Sequence, residues 1–201
     1  MRNNLVDDLK KHLPSGSVLE KIEERYAYSK DASDLHEISE LPDVAVFAEN
    51  IKQVQDIVKI ANRYRTPIIC RGAGTNVVGA CTCPKGGIVL NFSKMNKIIE
   101  INSKNMTAKV EAGVIVGKLR DEVEKLGLYY PPAPSNLAVS TIGGSIAQNS
   151  AGAESFKYGT TKDYVLELTV VTADGEILKT GSNTIKNATG YSEEYLKTIK
   201  P

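Results

Sequence analysis

Pro67-Ile68-Ile69-Cys70-Arg71-Gly72-Ala73-Gly74-Thr75-Asn76-Val77-Val78-Gly79 joins a short apolar run to a glycine-bearing loop, and the reading of that join decides the fold. Ile68 to Cys70 is short and apolar, which reads as a strand. Gly72 and Gly74 allow the backbone after it to turn so that successive amides point at one anion. This is not the dinucleotide fingerprint GxGxxG, which opens a helix directly after the strand; Val77-Val78-Gly79 is a poor helix start. The loop also lacks the Gly-Lys-Ser/Thr ending of a nucleotide triphosphate loop. Taken alone, it also reads as a plain glycine turn.

Upstream, Val44 to Phe47 is a second apolar strand, and Asn50 with Gln53 three residues on forms the start signal of a helix. Ile51, Val54, Val58 and Ala61 make its buried stripe, and Thr66-Pro67 ends it. Strand, helix and strand in this order predict a right-handed parallel crossover, half of a small α/β layer. The first forty residues read as short charged helices broken at Pro14-Ser15-Gly16, an N-terminal arm over 1–41.

Downstream, Gly86-Gly87 introduces the strand Ile88 to Phe92, and the pattern then changes to antiparallel alternation: Ile99 and Ile101, a turn at 102–105, then Ala108, Val110 and Ala112. This places a first subdomain at 42–97 and a second at 98–201. Val116, Leu119, Val123 and Leu126 form a helix stripe ending at Gly127. Tyr164 to Ala173 reads as a strand returned by Asp174-Gly175 into Glu176 to Thr180. The fold class is therefore α+β: a small parallel layer followed by a larger antiparallel sheet with helices.

Two more loops carry chemistry. Tyr129-Tyr130-Pro131-Pro132-Ala133-Pro134-Ser135-Asn136 has a stiff backbone that can wall a flat ring, or serve simply as a rigid turn. Thr141-Ile142-Gly143-Gly144-Ser145-Ile146-Ala147-Gln148-Asn149-Ser150-Ala151-Gly152 offers a Thr cap and two glycines in the first turn of a helix. Glycine there costs about 1 kcal/mol against alanine, which is explained either by a diphosphate approaching exposed amides or by tight helix packing.

Composition narrows the partners. Twenty-five Lys and Arg against 24 Asp and Glu leave a net charge of +1, no field for counterion-release binding, so nucleic acid is not expected. No apolar run approaches the roughly 20 residues of a membrane span, and no transmembrane segment is expected. Three cysteines, Cys70, Cys81 and Cys83, fit neither a disulfide framework nor, with His12 and His36 far upstream, a zinc site; a reducing, cytoplasmic location and no metal follow.

The three loops occur in an order that resembles the FAD-binding domain of the p-cresol methylhydroxylase (PCMH) and vanillyl-alcohol oxidase superfamily. The resemblance covers about residues 42–196 and rests on PIICRGAGTNVVG (67–79), VEAGV (110–114), PPAPS (131–135), TIGGSIAQNSAG (141–152) and KYGTTKDYVLELTVVTADGEIL (157–178). LPDVAVFAEN, GIVLNFSKMNKI and KNATGY (186–191) make the chain most similar to the group of glycolate oxidase FAD subunits and D-lactate dehydrogenases. The resemblance implies a two-subdomain PCMH-type fold without its cap, and a cofactor, FAD, cradled by Arg71, Gly72, Ala73, Gly74, Thr75, Asn76 and Gly79. It continues the cradle through Pro134, Ser135, Thr141, Ile142, Gly143 and Gly144, and sets Asn149, Ala151, Gly152 and Gly159 near the flavin or ribityl chain. Thr75 stands where covalent members carry a linking histidine, so FAD is expected to be held non-covalently.

Ala133 and Cys70 depart from the PPDPS and Pro-Arg forms of the family, and neither departure removes a needed amide. The resemblance further implies an FAD-dependent oxidation of a 2-hydroxyacid of D-lactate or glycolate type, with hydride passing to flavin N5. A cell-wall enolpyruvyl reductase shares the fold, but PPAPS and KNATGY suit it poorly. In the family, a helix like GYSEEYLKTIK leads into a GSEGTLG strand and a substrate cap carrying the base and metal ligands. Here the chain stops at Pro201, so no catalytic residue is assigned; Lys157, Lys162 and Asp163 read as surface charges. The expected partner is a cap-bearing or electron-accepting protein subunit. A catalytically silent remnant, or one half of a split enzyme, is the alternative. This chain alone is expected to bind FAD weakly or not at all and to turn over neither D-lactate nor glycolate.

Overall fold

The structure, a computed structural model, describes residues 2–34, 40–181 and 196–197. His36 and the KNATGY segment lie outside the described residues. The chain divides into two compact units, 1–94 with 171–176, and 95–170 with 177–201.

The first unit contains α1 (Arg2–His12), β1 (Val18–Leu19), α2 (Ile22–Tyr26), β2 (Val44–Phe47), α3 (Ile51–Tyr64), β3 (Ile68–Arg71) and β4 (Ile88–Asn91). Its sheet has the order β1-β2-β4-β3. β2 and β3, joined by α3, are therefore not neighbours as the strand–helix–strand pattern suggests. β4 lies between them, parallel to both, with Ile88 opposite Val44 on one side and Ile68 on the other. The reason is burial: all four residues of β4 are buried, as suits a strand covered on both faces and paired on both edges. A consequence is that the loop after β3 leaves the carboxyl end of the parallel strands, where open α/β sheets bind ligands.

Helix α3 starts as the sequence predicts, the Asn50 side chain accepting from the Gln53 amide at 3.0 Å, and closes at Arg65 in the left-handed region, φ 51°. It buries Val54, Ile57, Val58, Ile60 and Ala61. The N-terminal segment is built into this unit rather than forming a separate arm. α1 buries Leu5, Val6 and Leu9, each contributing about 1.5–3 kcal/mol, and Asp8 accepts hydrogen bonds from Tyr64 Oη at 2.8 Å and Arg63 at 3.1 Å. β1 pairs antiparallel with β2.

The second unit contains β5 (Ile98–Asn102), β6 (Thr107–Val110), α4 (Val116–Glu124), α5 (Ile142–Ala147), α6 (Ser155–Tyr158), a 3₁₀ turn (Thr161–Tyr164), β7 (Glu167–Val171), β8 (Ile177–Gly181) and β9 (Leu196–Lys197). A register shift between Ile98 and Glu100 changes the expected alternation. Ile98 and Ile101 pack on the core, while Ile99 is 56% exposed, as a bulge re-aims side chains. Val116, Leu119 and Val123 are buried, but Leu126 is 52% exposed. The chain turns at Gly127, φ 68°, and Leu128 and Tyr130 enter the core in its place. Tyr130 and Tyr164 meet edge to face at 5.9 Å, and Tyr164 Oη donates to Tyr158 O at 2.7 Å. That burial makes residues 161–164 a turn instead of the start of the strand. The segment read as helical, GYSEEYLKTIK, supplies at 196–197 a strand paired antiparallel to β6. Residues 171–176 of the β7–β8 turn belong to the first unit, where Gln55 donates to Gly175 O and Asn62 to Ala173 O.

Candidate functional site

The glycine loop leaves β3 at Arg71, whose carbonyl accepts from Phe92 N–H at 3.0 Å. Gly74 has φ 72°, a left-handed backbone that favours glycine, and a Cβ there would lie 2.2 Å from Arg71 Nη2, so any side chain would also displace the guanidinium that folds back over the loop. That guanidinium donates to Lys30 O at 2.7 Å and sits over the Tyr28 ring at 5.7 Å. Asn76 organises the far side of the loop, its Oδ1 accepting from the amides of Val78 and Ala80 at 3.2 and 3.0 Å. The amides of residues 72 through 77 have no hydrogen-bond partner among the described residues. A run of open amides, exposed at Ala73 and Val77 and half-buried between, beside a buried cation offers donors to an anion.

The second unit holds the remaining predicted residues. Pro131, Pro132 and Pro134 are buried and Ser135 is exposed. A Cβ on Gly152 would lie 1.8 Å from Ala133 O, so this glycine lets the 149–152 turn close on the proline loop. Thr141 caps α5 as expected, but the amides of that helix are not exposed. Ile142 N donates to Val114 O and Gly143 N to Ala112 O, both at 2.8 Å, and Gly144 N donates to Thr141 Oγ1 at 3.2 Å. The cause is the bridge between Ile115 and Thr141, which lays the helix start along residues 112–115. Of the two explanations for these glycines, packing accounts for Gly143, whose Cβ would lie 2.8 Å from that of Ala112.

Asn149 takes a left-handed φ of 46°, and its Oδ1 accepts from Lys162 N at 3.0 Å. Ser150 O accepts from both Thr161 N at 3.2 Å and Thr161 Oγ1 at 2.7 Å. A Cβ on Gly159, φ 87°, would lie 2.5 Å from Asp163 Oδ2. Asn149, Ala151, Gly152 and Gly159 thus share one segment, tied at 149–150 by Lys162 and Thr161 and lying against Asp163 at Gly159. The hydrogen bonds from Thr160 hold the Asp163 carboxyl below its usual range, which occupies it structurally. Lys157 lies over the Tyr158 ring at 4.7 Å.

Two groups escaped sequence reasoning. Arg120 donates to Tyr129 Oη at 2.8 Å, lies over its ring at 4.9 Å, and sits 3.8 Å from Glu154; Tyr129 in turn donates to Glu154. Burial first, and then the bond to Glu154, push the Tyr129 phenol above its usual value. No spacing rule announces such a trio. The other is Asp31, which holds the amide of Cys81; the Asp-x-Ser pattern at 31–33 was its only signal. Among the described residues no cluster of His, Cys, Asp and Glu could hold a metal.

Residues 42–181 match the family of FAD binding domains. The chain belongs to that family. The domain is 45% identical over 168 residues to the glycolate oxidase subunit GlcD of Bacillus subtilis, covering 83% of this chain and 35% of that protein. It is 39% identical to a D-lactate dehydrogenase of Anaerostipes hadrus, covering 75% of this chain and 32% of that protein. The chain thus spans about a third of the length of these relatives. The structure of p-cresol methylhydroxylase with substrate bound superimposes with a TM-score of 0.83 at 24% identity, over 98% of this chain and 43% of that one; at that identity the likeness shows the PCMH-type fold. The cofactor of the domain is FAD, and the six open amides at 72–77 fit its diphosphate. Among the described residues, no helix is long and apolar enough to cross a membrane.

Proposed function

We propose that the domain holds FAD non-covalently as the cofactor half of a flavin-dependent 2-hydroxyacid dehydrogenase or oxidase of D-lactate or glycolate type. The observation that carries the reading is the row of open amides at the carboxyl end of β3. When bound, FAD supplies an acceptor for the hydride leaving the hydroxyl-bearing carbon of the substrate. The amides of Gly72, Ala73, Gly74, Thr75 and Asn76 bind the diphosphate, with Arg71 adding buried positive charge and Gly79 allowing the loop to return. Pro134, Ser135, Thr141, Ile142, Gly143 and Gly144 shape the wall around the cofactor, and Asn149, Ala151, Gly152 and Gly159 fix the segment assigned to the flavin side. α5 acts here through close packing and not through its amides, since those are bonded to residues 112, 114 and 141.

The chemistry needs a group that takes the hydroxyl proton and a clamp on the substrate carboxylate. Among the described residues neither is assigned, and a cap-bearing or electron-accepting subunit is the partner that suits the reading. Similarity to a protein named as a subunit of glycolate oxidase supports that partner, and three free cysteines suit a reducing, cytoplasmic location.

Titration of the protein with FAD, FMN and riboflavin, followed by flavin fluorescence and by the visible spectrum, tests the cofactor assignment. FAD should bind, with FMN far weaker and riboflavin not measurably, because the open amides meet a diphosphate that only FAD carries. Equal binding of FAD and riboflavin, or binding of neither, refutes it.

A further inference from the structure

Six consecutive amides left open for an anion must be held open by something else, and the hydrogen bonds of the first unit identify what holds them. Three consecutive residues of the N-terminal segment tie the loop at its start, middle and end. Lys30 O accepts from the Arg71 guanidinium at 2.7 Å, Ala32 N donates to Asn76 O at 3.1 Å, and Asp31 Oδ2 accepts from Cys81 N at 3.0 Å. Asp31 is 9% exposed, and its other oxygen accepts from Ser33 N at 3.0 Å and Ser33 Oγ at 2.6 Å. Tyr28 lies under the Arg71 guanidinium and is fixed edge to face against Phe47 of β2 at 5.7 Å. All of these residues precede the 42–181 match to the family, apart from the loop and β2 residues they touch.

We propose that the segment Tyr28–Ser33 is a latch that sets the glycine loop in its anion-receiving shape before the cofactor arrives, and that Asp31 is its central positioning residue. The inference rests on the assignment of FAD to this loop. Its physical basis is preorganisation: a loop already ordered by ties on its outer side does not lose that freedom when a diphosphate meets its inner side. Burial pushes the Asp31 carboxyl up, and the bonds from Ser33, the Cys81 amide and Asn76 outweigh burial, leaving it below its ordinary value. Asp31 is thus an ionised acceptor in its working state.

The sign of the effect separates the latch from ordinary electrostatics. Asp31→Asn keeps the size of the side chain and removes a negative charge beside a site for a dianion, so charge alone would tighten FAD binding. The latch predicts the opposite, because both carboxylate oxygens accept from a backbone N–H, so in either orientation the new NH2 group meets the amide of Cys81 or of Ser33, donor against donor. Losing one charge-assisted hydrogen bond corresponds to a loss of about tenfold or more in FAD affinity. The experiment measures FAD affinity and hydrogen exchange at the bonded loop amides of Val78, Ala80 and Cys81 for the wild-type protein, Asp31→Asn and the milder Ser33→Ala. Expected are weaker binding and faster exchange in the loop, larger for Asp31→Asn, with exchange in β2 and β4 unchanged as the sign of an intact fold. FAD affinity equal to or tighter than wild type, with unchanged exchange at Val78, Ala80 and Cys81, overturns the latch. If Asp31→Asn does not fold, Ser33→Ala, which deletes one hydroxyl, decides by the same two readouts. A wild-type protein that takes up no FAD strikes the cofactor assignment instead, and loop exchange then still decides the latch.

Discussion

Gly74→Ala tests whether the glycine loop is built around the folded-back Arg71. Gly74 has φ 72°, and its added methyl would lie 2.2 Å from Arg71 Nη2 and 2.4 Å from Arg71 Cζ. The left-handed backbone costs any residue with a Cβ about 1–2 kcal/mol. The methyl also expels the guanidinium, which loses its charge-assisted bond to Lys30 O, about 1.5–3 kcal/mol, and its place over Tyr28, about 0.5–1 kcal/mol. Gly16 supplies the control within the same unit: φ 79° and nothing within 4 Å of an added Cβ. Gly16→Ala carries only the backbone cost, so Gly74→Ala should exceed it by about 2–4 kcal/mol in urea unfolding followed by circular dichroism. In an Arg71→Ala background that excess should vanish, since the group the methyl displaces is already gone. Equal destabilisation by Gly74→Ala and Gly16→Ala refutes the reasoning.

Three further outcomes are expected. FAD should separate from the protein on acid precipitation, because Thr75 offers no linking nucleophile; flavin remaining in the pellet would reveal a covalent bond elsewhere. The Asp8 carboxyl is held at about 2, first by its hydrogen bond from Lys11 and then by that from Tyr64. Its folded value lies below the unfolded one, so its contribution is present above the unfolded pKa and is lost as pH falls through about 2. Asp8→Asn should therefore be less stable than wild type at neutral pH and converge with it at the acid end, as read by thermal unfolding. Burial pushes the Cys83 thiol up to about 11, and Cys81 and Cys83 are both buried; neither should react with an aromatic disulfide reagent at pH 8 until the protein is unfolded, and fast native labelling of either would contradict this.

Much of the architecture was legible because it is set by near neighbours along the chain. Asn50 with Gln53 starts α3, Asp174-Gly175 turns the last hairpin, and the switch from continuous apolar runs to alternation marks the change from parallel to antiparallel pairing. The order of the glycine, proline and Thr-Ile-Gly-Gly motifs was enough to indicate the family and its cofactor. Which strand would lie between β2 and β3 was not legible, since two apolar runs of equal length compete for the centre and only burial on both faces selects β4. The bulge at Ile98–Glu100 likewise depends on pairing with β6 and shifts which isoleucine faces inward.

The two glycine-bearing segments show most plainly what sequence could and could not decide. By itself, the sequence left each glycine-bearing segment two readings: a plain turn or an anion cradle at 72–79, and tight helix packing or an approaching diphosphate at 143–144. Only the tertiary structure decided which of these amides are already bonded. At 143–144 the donors and the space are taken by residues 112–114 and by Thr141, while at 72–77 the donors stay open and the N-terminal segment holds them from behind. Glycine content is local, but whether an amide is already satisfied depends on carbonyls and carboxylates brought from 28 to 50 residues away, and that is settled only when the chain is packed.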